Sequence, residues 1–269
     1  MNFELTQEHK MIRDAARDFA QTELLPGVIE RDEKQIFPTH QIKKLGELGF
    51  LGMMVDPKYG GAGMDTISYV LAMEEISKVD ASSSVVMSVN NSLVCWGLEN
   101  FGTEQQKEKY LKPLASGEII GAFCLSEPEA GSDATSQKTT AIEKEDYYLL
   151  NGTKNWITNG DTATVYLVIA QTNEEKGHKG INAFIVEKGM EGFVVGLKEN
   201  KLGIRGSDTH SLMFTDVKVP KKNRIGEDGF GFSFAMKTLS GGRIGIAAQA
   251  LGIASGAYEL SLHYSRERK

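Results

Sequence analysis

The chain has 269 residues, 41% hydrophobic and 25% charged, so it can bury a sizeable core and has the composition of an ordinary globular protein. A net charge of -6 argues against a nucleic-acid binder, and the two cysteines, Cys95 and Cys124, fit buried thiols in a reducing compartment better than a disulfide framework. The five histidines (His9, His40, His178, His210, His263) show no metal-ligand spacing, no apolar run is long enough to span a bilayer, and the opening MNFELTQEHK lacks a signal pattern. A soluble protein of a bacterial cytoplasm or a mitochondrial matrix is the expectation. Lys221, Lys222 and Arg224 form a local basic cluster that could meet a phosphate, although a solvated loop is the simpler account.

The first third reads as helices. Met11, Ile12, Ala15, Ala16 and Phe19 recur at helical spacing behind Thr6, a suitable N-cap. Ile42, Leu45 and Leu48 mark a short second helix after Pro38, stopped by Gly49. The turn-rich run from Asp56 to Gly63 separates it from a helix containing Tyr69, Val70, Met73 and Ile76. A longer helix, apolar nearly all round and therefore buried, is predicted from about Ala81 to Asn100. Thr103 with Gln106 has the pattern of a capping box for a further helix ending near Ser116 and Gly117.

After Gly117 the pattern changes to short β-branched or alternating segments at 119–125, 138–142, 165–171, 182–187, 193–197 and 211–219. Tyr147 to Leu150 followed by Asn151-Gly152 predicts a hairpin, because a type I′ turn needs positive φ at both central residues. From Gly229 the helical period returns, and 243–269 reads as one long helix whose apolar face (Ile244, Ala247, Leu251, Ala254, Tyr258) needs a partner. The expected fold is α+β: an N-terminal helical bundle (1–117), a β-barrel-like middle domain (118–226) and the first part of a C-terminal helical bundle (227–269). With no cap or glycine stop at its end, that last helix reads as interrupted.

Neither the Gly60–Gly63 run nor the Ser240–Gly245 run is a GxGxxG after a strand or a P-loop, and no GxSxG elbow, paired His-Glu zinc motif or repeat is found. More informative is a strand running from Phe123 through Leu125 and Ser126 into a polar loop with Gly131, Ser132 and Asp133. A second strand end, Asn155 to Gly160, places Trp156 and Thr158 on one face by the period of two. A flat aromatic wall beside a hydroxyl donor suits a planar ring with polar edges such as a flavin; a core tryptophan beside a surface threonine fits the same pattern.

Three strings, Leu125-Ser126-Glu127-Pro128 with Gly131-Ser132-Asp133, Asn151 to Asn159, and Lys201 to Ser207, resemble the middle-domain motifs of the acyl-CoA dehydrogenases. Met87 to Leu93 upstream and Gly242 to Ala247 downstream are most similar to the short-chain (butyryl-CoA) branch, and the resemblance runs through the whole chain in order and spacing. It implies FAD as cofactor, with Phe123, Leu125 and Ser126 along its pyrimidine edge, Trp156, Ile157 and Thr158 on the other side, and Gly131 and Ser132 at the phosphates. Ser132 and the segment Ser240, Gly241, Gly242 and Arg243 match positions that meet CoA, and Arg268 matches the start of an element that reaches a neighbouring subunit's FAD.

The implied reaction is α,β-dehydrogenation of a short-chain acyl-CoA to the trans-2-enoyl-CoA, with electrons passed to an electron-transferring flavoprotein and the enzyme assembled as a homotetramer. Two departures stand out. Where one branch of the family carries its catalytic base, this chain has Gly242, so the base is expected beyond Lys269; Glu259 and Glu267 have no family warrant for the role. Ser240 stands where close relatives often have an aspartate. Ser84 occupies the position of an arginine in members that take dicarboxylic acyl groups, which disfavours a glutaryl-type substrate. The alternatives are an acyl-CoA oxidase on the same scaffold, or a non-catalytic FAD- or CoA-binding module if the natural chain ends at Lys269.

Overall fold

A computed structural model describes residues 4–269. The N-terminal helices are α1 (Gln7–Phe19), α2 (Val28–Glu33), α3 (Thr39–Glu47), α4 (Thr66–Val79), α5 (Ala81–Ser88), α6 (Trp96–Phe101), α7 (Glu104–Gln106) and α8 (Lys112–Ala115). Both predicted starts are capped. Thr6 accepts from the His9 N–H, and the His9 ring, standing where Glu or Gln is usual, answers to the Thr6 N–H. Thr103 and Gln106 form the second box, and Gln106 also donates to the carbonyls of Lys222 and Arg224. The long apolar helix expected from Ala81 is present as a continuous helical path, but Val89–Cys95 between α5 and α6 is wound as a π-helix. There Asn90 and Asn91 turn inward, bonding the carbonyls of Leu51, Leu114, Phe50 and Met87. Helix α2 carries too few apolar residues to show in the sequence pattern, and none of its residues is buried.

The middle of the chain forms β1 (Gly121–Cys124), β2 (Thr140–Glu143), β3 (Tyr147–Thr158), β4 (Val165–Gln171), β5 (Ile181–Glu187), β6 (Phe193–Lys198), β7 (Thr209–Pro220) and β8 (Arg224–Ile225). They make one sheet in the order β6-β7-β3-β2-β4-β5-β8, with β1 parallel to β4. The sheet curls on itself around a core of Tyr148, Leu150, Phe214 and Val217 facing Tyr166, Val168 and Phe184. Strand β4 is buried throughout because Val165, Leu167 and Ile169 face the other way, into a second core shared with the helices.

The hairpin predicted at Asn151-Gly152 is not there. Strand β3 runs straight through these residues, and the turn lies earlier, where Glu143 pairs with Tyr148. Asn151-Gly152 is instead a bulge against β7, with Gly152 at φ 146° and its α-carbon pressed on Thr139 so that a β-carbon would lie 2.5 Å from Oγ1. The same sequence chemistry that suits a I′ turn suits a bulge, and only strand pairing chooses between them.

Helix α9 (Gly231–Glu267) is 37 residues long, about 55 Å. Its first turns pack Phe234 and Ala235 into the core between helices and sheet. Its middle lies on α4, yet not through the expected apolar face: Ile244, Ala247, Leu251, Ala254 and Tyr258 are all exposed. The buried stripe is Gly242, Gly245, Gln249, Gly252 and Gly256, at alternating spacings of three and four, which lets the two helices approach closely. No helix among the described residues is long and apolar enough to cross a membrane.

Candidate functional site

Strand β1 pairs with β4, and β3 pairs with β2 and β7, so the ladder alone does not join β1 to β3. Side chains and one main-chain bond do. Asn159 Nδ2 donates to the Gly121 carbonyl (3.0 Å), the Asn155 N–H to the Ser126 carbonyl (2.9 Å), and Lys154 Nζ to the Leu125 carbonyl (3.0 Å). These bridges bring Phe123, Leu125 and Ser126, all half-buried at the end of β1, beside Trp156 and Thr158 at the end of β3.

The period-two argument for Trp156 and Thr158 needs amending. The ladder with β7 slips between Lys154 and Ile157, and Trp156 sits in the left-handed region at φ 58°. For a bulky side chain this is an outlier costing on the order of 1–3 kcal/mol, and it persists because the surroundings impose it. The outcome is an indole 60% exposed, with half-buried Thr158 two residues on. The Ile157 side chain between them is buried in the barrel core, so it does not line the opening. Asn159, also left-handed at φ 62°, ends the strand, and Asp208 holds the following turn through the N–H groups of Asp161 and Thr162.

The loop after Ser126 is closed at its base. Glu127 and Ala130 exchange main-chain hydrogen bonds, and the Glu127 carboxylate accepts from the N–H groups of Lys138 (2.6 Å) and Thr139 (3.2 Å) and from Lys154 Nζ (2.6 Å). Burial alone would raise Glu127, but Lys154 and these donors outweigh it and hold the carboxyl below its ordinary value. At the tip Gly131 and Ser132 are exposed, and their N–H groups bond nothing among the described residues. Burial pushes the Cys124 thiol far up, so it is inert as a nucleophile.

An opening lies between the π-helical segment and α9. It is an apolar groove of about 500 Å³ lined by Ser88, Ser92, Leu93, Gly242, Arg243 and Ile246, among others. Gly242 packs on Leu93, and a β-carbon there would come within 2.7 Å of it. Gly241 stands clear, and the Ser240 hydroxyl is turned back to the Met236 carbonyl of its own helix. Arg243 is exposed at the rim. No carboxylate lines this groove among the described residues. Leu93 packs on the same core as Phe123 and Leu125. Ser84 is fully buried one turn before Ser88 and accepts a hydrogen bond from Gln249.

Arg268 is not brought to either opening. It follows the end of α9, exposed, and its N–H bonds Tyr264. Glu259 stands 3.7 Å from Lys78, away from the groove lining. Sequence reasoning missed the closing pair Glu127 and Lys154. The available signal was a lysine at a core-facing position of a strand, one that a surface reading cannot accommodate.

Family models of the acyl-CoA dehydrogenase N-terminal, middle and C-terminal domains match residues 6–118, 122–217 and 229–269. The short-chain specific acyl-CoA dehydrogenase of Clostridium acetobutylicum is 50% identical over 269 residues, covering all of this chain and 71% of that protein. Butyryl-CoA dehydrogenase of Megasphaera elsdenii superposes with a TM-score of 0.97 at 48% identity, over all of this chain and 71% of the other. A chain from a structure of the electron transferring flavoprotein of Acidaminococcus fermentans superposes with a TM-score of 0.98 at 51% identity, again over all of this chain and 71% of the other.

Proposed function

This chain belongs to the acyl-CoA dehydrogenase family, and on that premise we propose that its residues form the FAD and acyl-CoA cradle of an enzyme that dehydrogenates a short-chain acyl-CoA to the trans-2-enoyl-CoA. The observation that carries this reading is a common core under Phe123, Leu125 and Leu93, with an exposed, left-handed Trp156 and half-buried Thr158 beside the first two and an apolar groove with Arg243 at its rim beside the third.

The residues fit a flavin dinucleotide. Trp156 and Phe123 offer apolar surface, and the Thr158 and Ser126 hydroxyls, without a hydrogen-bond partner among the described residues, can donate to polar ring edges. The N–H groups of Gly131 and Ser132, unpaired among the described residues, suit phosphate oxygens, and an added β-carbon at Gly131 would meet nothing within 4 Å, so the loop admits close approach. When bound, FAD supplies the acceptor for the hydride that leaves the β-carbon.

The protein's own part is to bind and orient. The groove between Ser88, Leu93 and Ile246 excludes water from a short acyl chain, and Arg243 presents a fixed cation to CoA phosphate. With no carboxylate on the groove among the described residues, these side chains do not remove the α proton. Ser84, neutral and tied to Gln249, offers no cation to a distal carboxylate, which favours a monocarboxylic acyl group. Electrons pass to an electron-transferring flavoprotein, in keeping with the Acidaminococcus likeness. Assembly as a homotetramer in a bacterial cytoplasm or mitochondrial matrix rests on the family likeness, and the exposed apolar face of α9 (Ile244, Leu251, Tyr258) leaves surface that an assembly would cover.

The test is FAD reconstitution followed by anaerobic titration with butyryl-CoA, palmitoyl-CoA and glutaryl-CoA, read in the flavin spectrum. Bound flavin perturbed by butyryl-CoA at lower concentration than by the other two supports the reading. Absence of FAD binding, or preference for glutaryl-CoA, overturns it. Bleaching of the flavin by butyryl-CoA would place a base within these residues.

A further inference from the structure

Lys154 and Glu127 form the most deeply buried ion pair described in the protein, 0% and 1% exposed at 2.6 Å. Two buried charges at such a place need explanation, since a buried pair is often no better for stability than well-packed apolar residues of similar volume. Their partners supply one. Lys154 Nζ also donates to the Leu125 carbonyl and to Gln137 Oε1 (3.2 Å), and Glu127 binds the N–H groups of Lys138 and Thr139. The pair thus touches the end of β1, the outgoing and returning ends of the 127–139 loop, and the strand that carries Trp156 two residues later. Each of these segments belongs to the proposed cradle, and no ladder bond joins β1 to β3.

Resting on the flavin reading above, we infer that Lys154 and Glu127 are positioning residues for the cofactor: a buried staple that sets the distance between the Gly131–Ser132 loop tip, the Leu125–Ser126 edge and the Trp156 wall. Both side chains are buried away from the loop tip and act through the main chain they hold. Directional bonds to four further groups fix a loop geometry in a way that apolar packing cannot, because dispersion contacts have no angular preference. The cradle is therefore preorganised before the cofactor arrives, and the affinity gained is the ordering that binding need not supply.

The experiment compares wild type, Glu127→Gln, Lys154→Met and the double variant Glu127→Leu/Lys154→Met. Apoprotein melting is followed by circular dichroism, and FAD affinity by quenching of flavin fluorescence well below the melting temperature. The single variants leave a buried charge unpaired and lose stability. The double variant removes both charges and should melt within a few degrees of wild type while binding FAD at least tenfold more weakly. Recovery of wild-type affinity together with wild-type stability in the double variant overturns the inference, as does unchanged affinity in a folded single variant. If the double variant is itself unstable, Gln137→Ala removes one acceptor of Lys154 without burying a charge. It should weaken FAD binding severalfold at unchanged secondary structure, and wild-type affinity there overturns the inference. Failure of wild type to bind FAD is the separate result that removes the flavin reading itself.

Discussion

The Tyr69 hydroxyl occupies the place a β-carbon would need at position 245: a Cβ built on Gly245 lies 2.3 Å from Tyr69 Oη and 2.8 Å from Ser88 Oγ. Tyr69 is fully buried on α4, and Ser88 lines the groove, so this contact ties the helix crossing to the proposed acyl pocket. Gly245→Ala therefore has to displace a buried ring. Overpacking of about 1–3 kcal/mol outweighs the roughly 1 kcal/mol that alanine gains in helix propensity. A lower urea midpoint is expected, together with weaker butyryl-CoA binding.

Gly241→Ala is the control one turn earlier. Its β-carbon meets only the Ser92 carbonyl at 4.0 Å, ordinary contact. Here the propensity gain stands alone, and chemical denaturation should show about 0.5–1 kcal/mol of added stability. Equal stabilisation at both positions would mean that α9 does not approach Tyr69 on α4 this closely.

Trp156 holds a left-handed backbone with most of its indole exposed, so the apoprotein gains little from it and carries its strain. Asparagine tolerates that backbone far better. Trp156→Asn should leave the apoprotein equally stable or about 1 kcal/mol more stable. FAD binding should fall by about tenfold, equivalent to about 1.4 kcal/mol. A large drop in melting temperature without change in FAD affinity would assign the tryptophan to the core instead.

Arg243→Gln removes the cation at the groove rim and keeps a donor of similar reach. Loss of a charge-assisted bond of about 1.5–3 kcal/mol should raise the dissociation constant for butyryl-CoA roughly tenfold to a hundredfold. The remaining binding should depend less on ionic strength. Titration of the FAD-loaded protein at two salt concentrations checks both, and affinity equal to wild type at low salt would take Arg243 out of the site.

Glu75 is buried against Arg17, whose Nε and a terminal nitrogen each lie 3.0 Å from a carboxylate oxygen, and against Lys78 Nζ at 3.0 Å. Burial alone would raise its pKa, but the two cations outweigh it and hold it below the ordinary carboxylate value. The stability this contributes is complete above the unfolded-state pKa of about 4.3 and is lost as pH falls through the lower folded value. Melting temperature should fall below about pH 5, and Glu75→Gln should flatten that fall while lowering stability at neutral pH. An unchanged acid limb in the variant would show that other carboxylates, Glu127 among them, govern it.

Local chemistry in the sequence determined a great deal of this protein. Thr6 and Thr103 announced their helix starts, the β-branched run 165–171 announced a strand, and the strings around Ser126, Trp156 and Gly242 announced the family. These signals are carried by a few neighbouring residues, whose conformational preferences act over one or two turns. Tertiary structure alone decided what depends on partners distant in the chain. Asn151-Gly152 became a bulge because β7 lay opposite it; the glycine stripe of α9, rather than its apolar face, met α4 because only bare α-carbons allow Tyr69 and the Lys78 carbonyl so near. Glu127 and Lys154, 27 positions apart, became one buried staple because the curled sheet brought β1 and β3 together. A charge in a sequence looks like surface until the fold supplies its counter-charge.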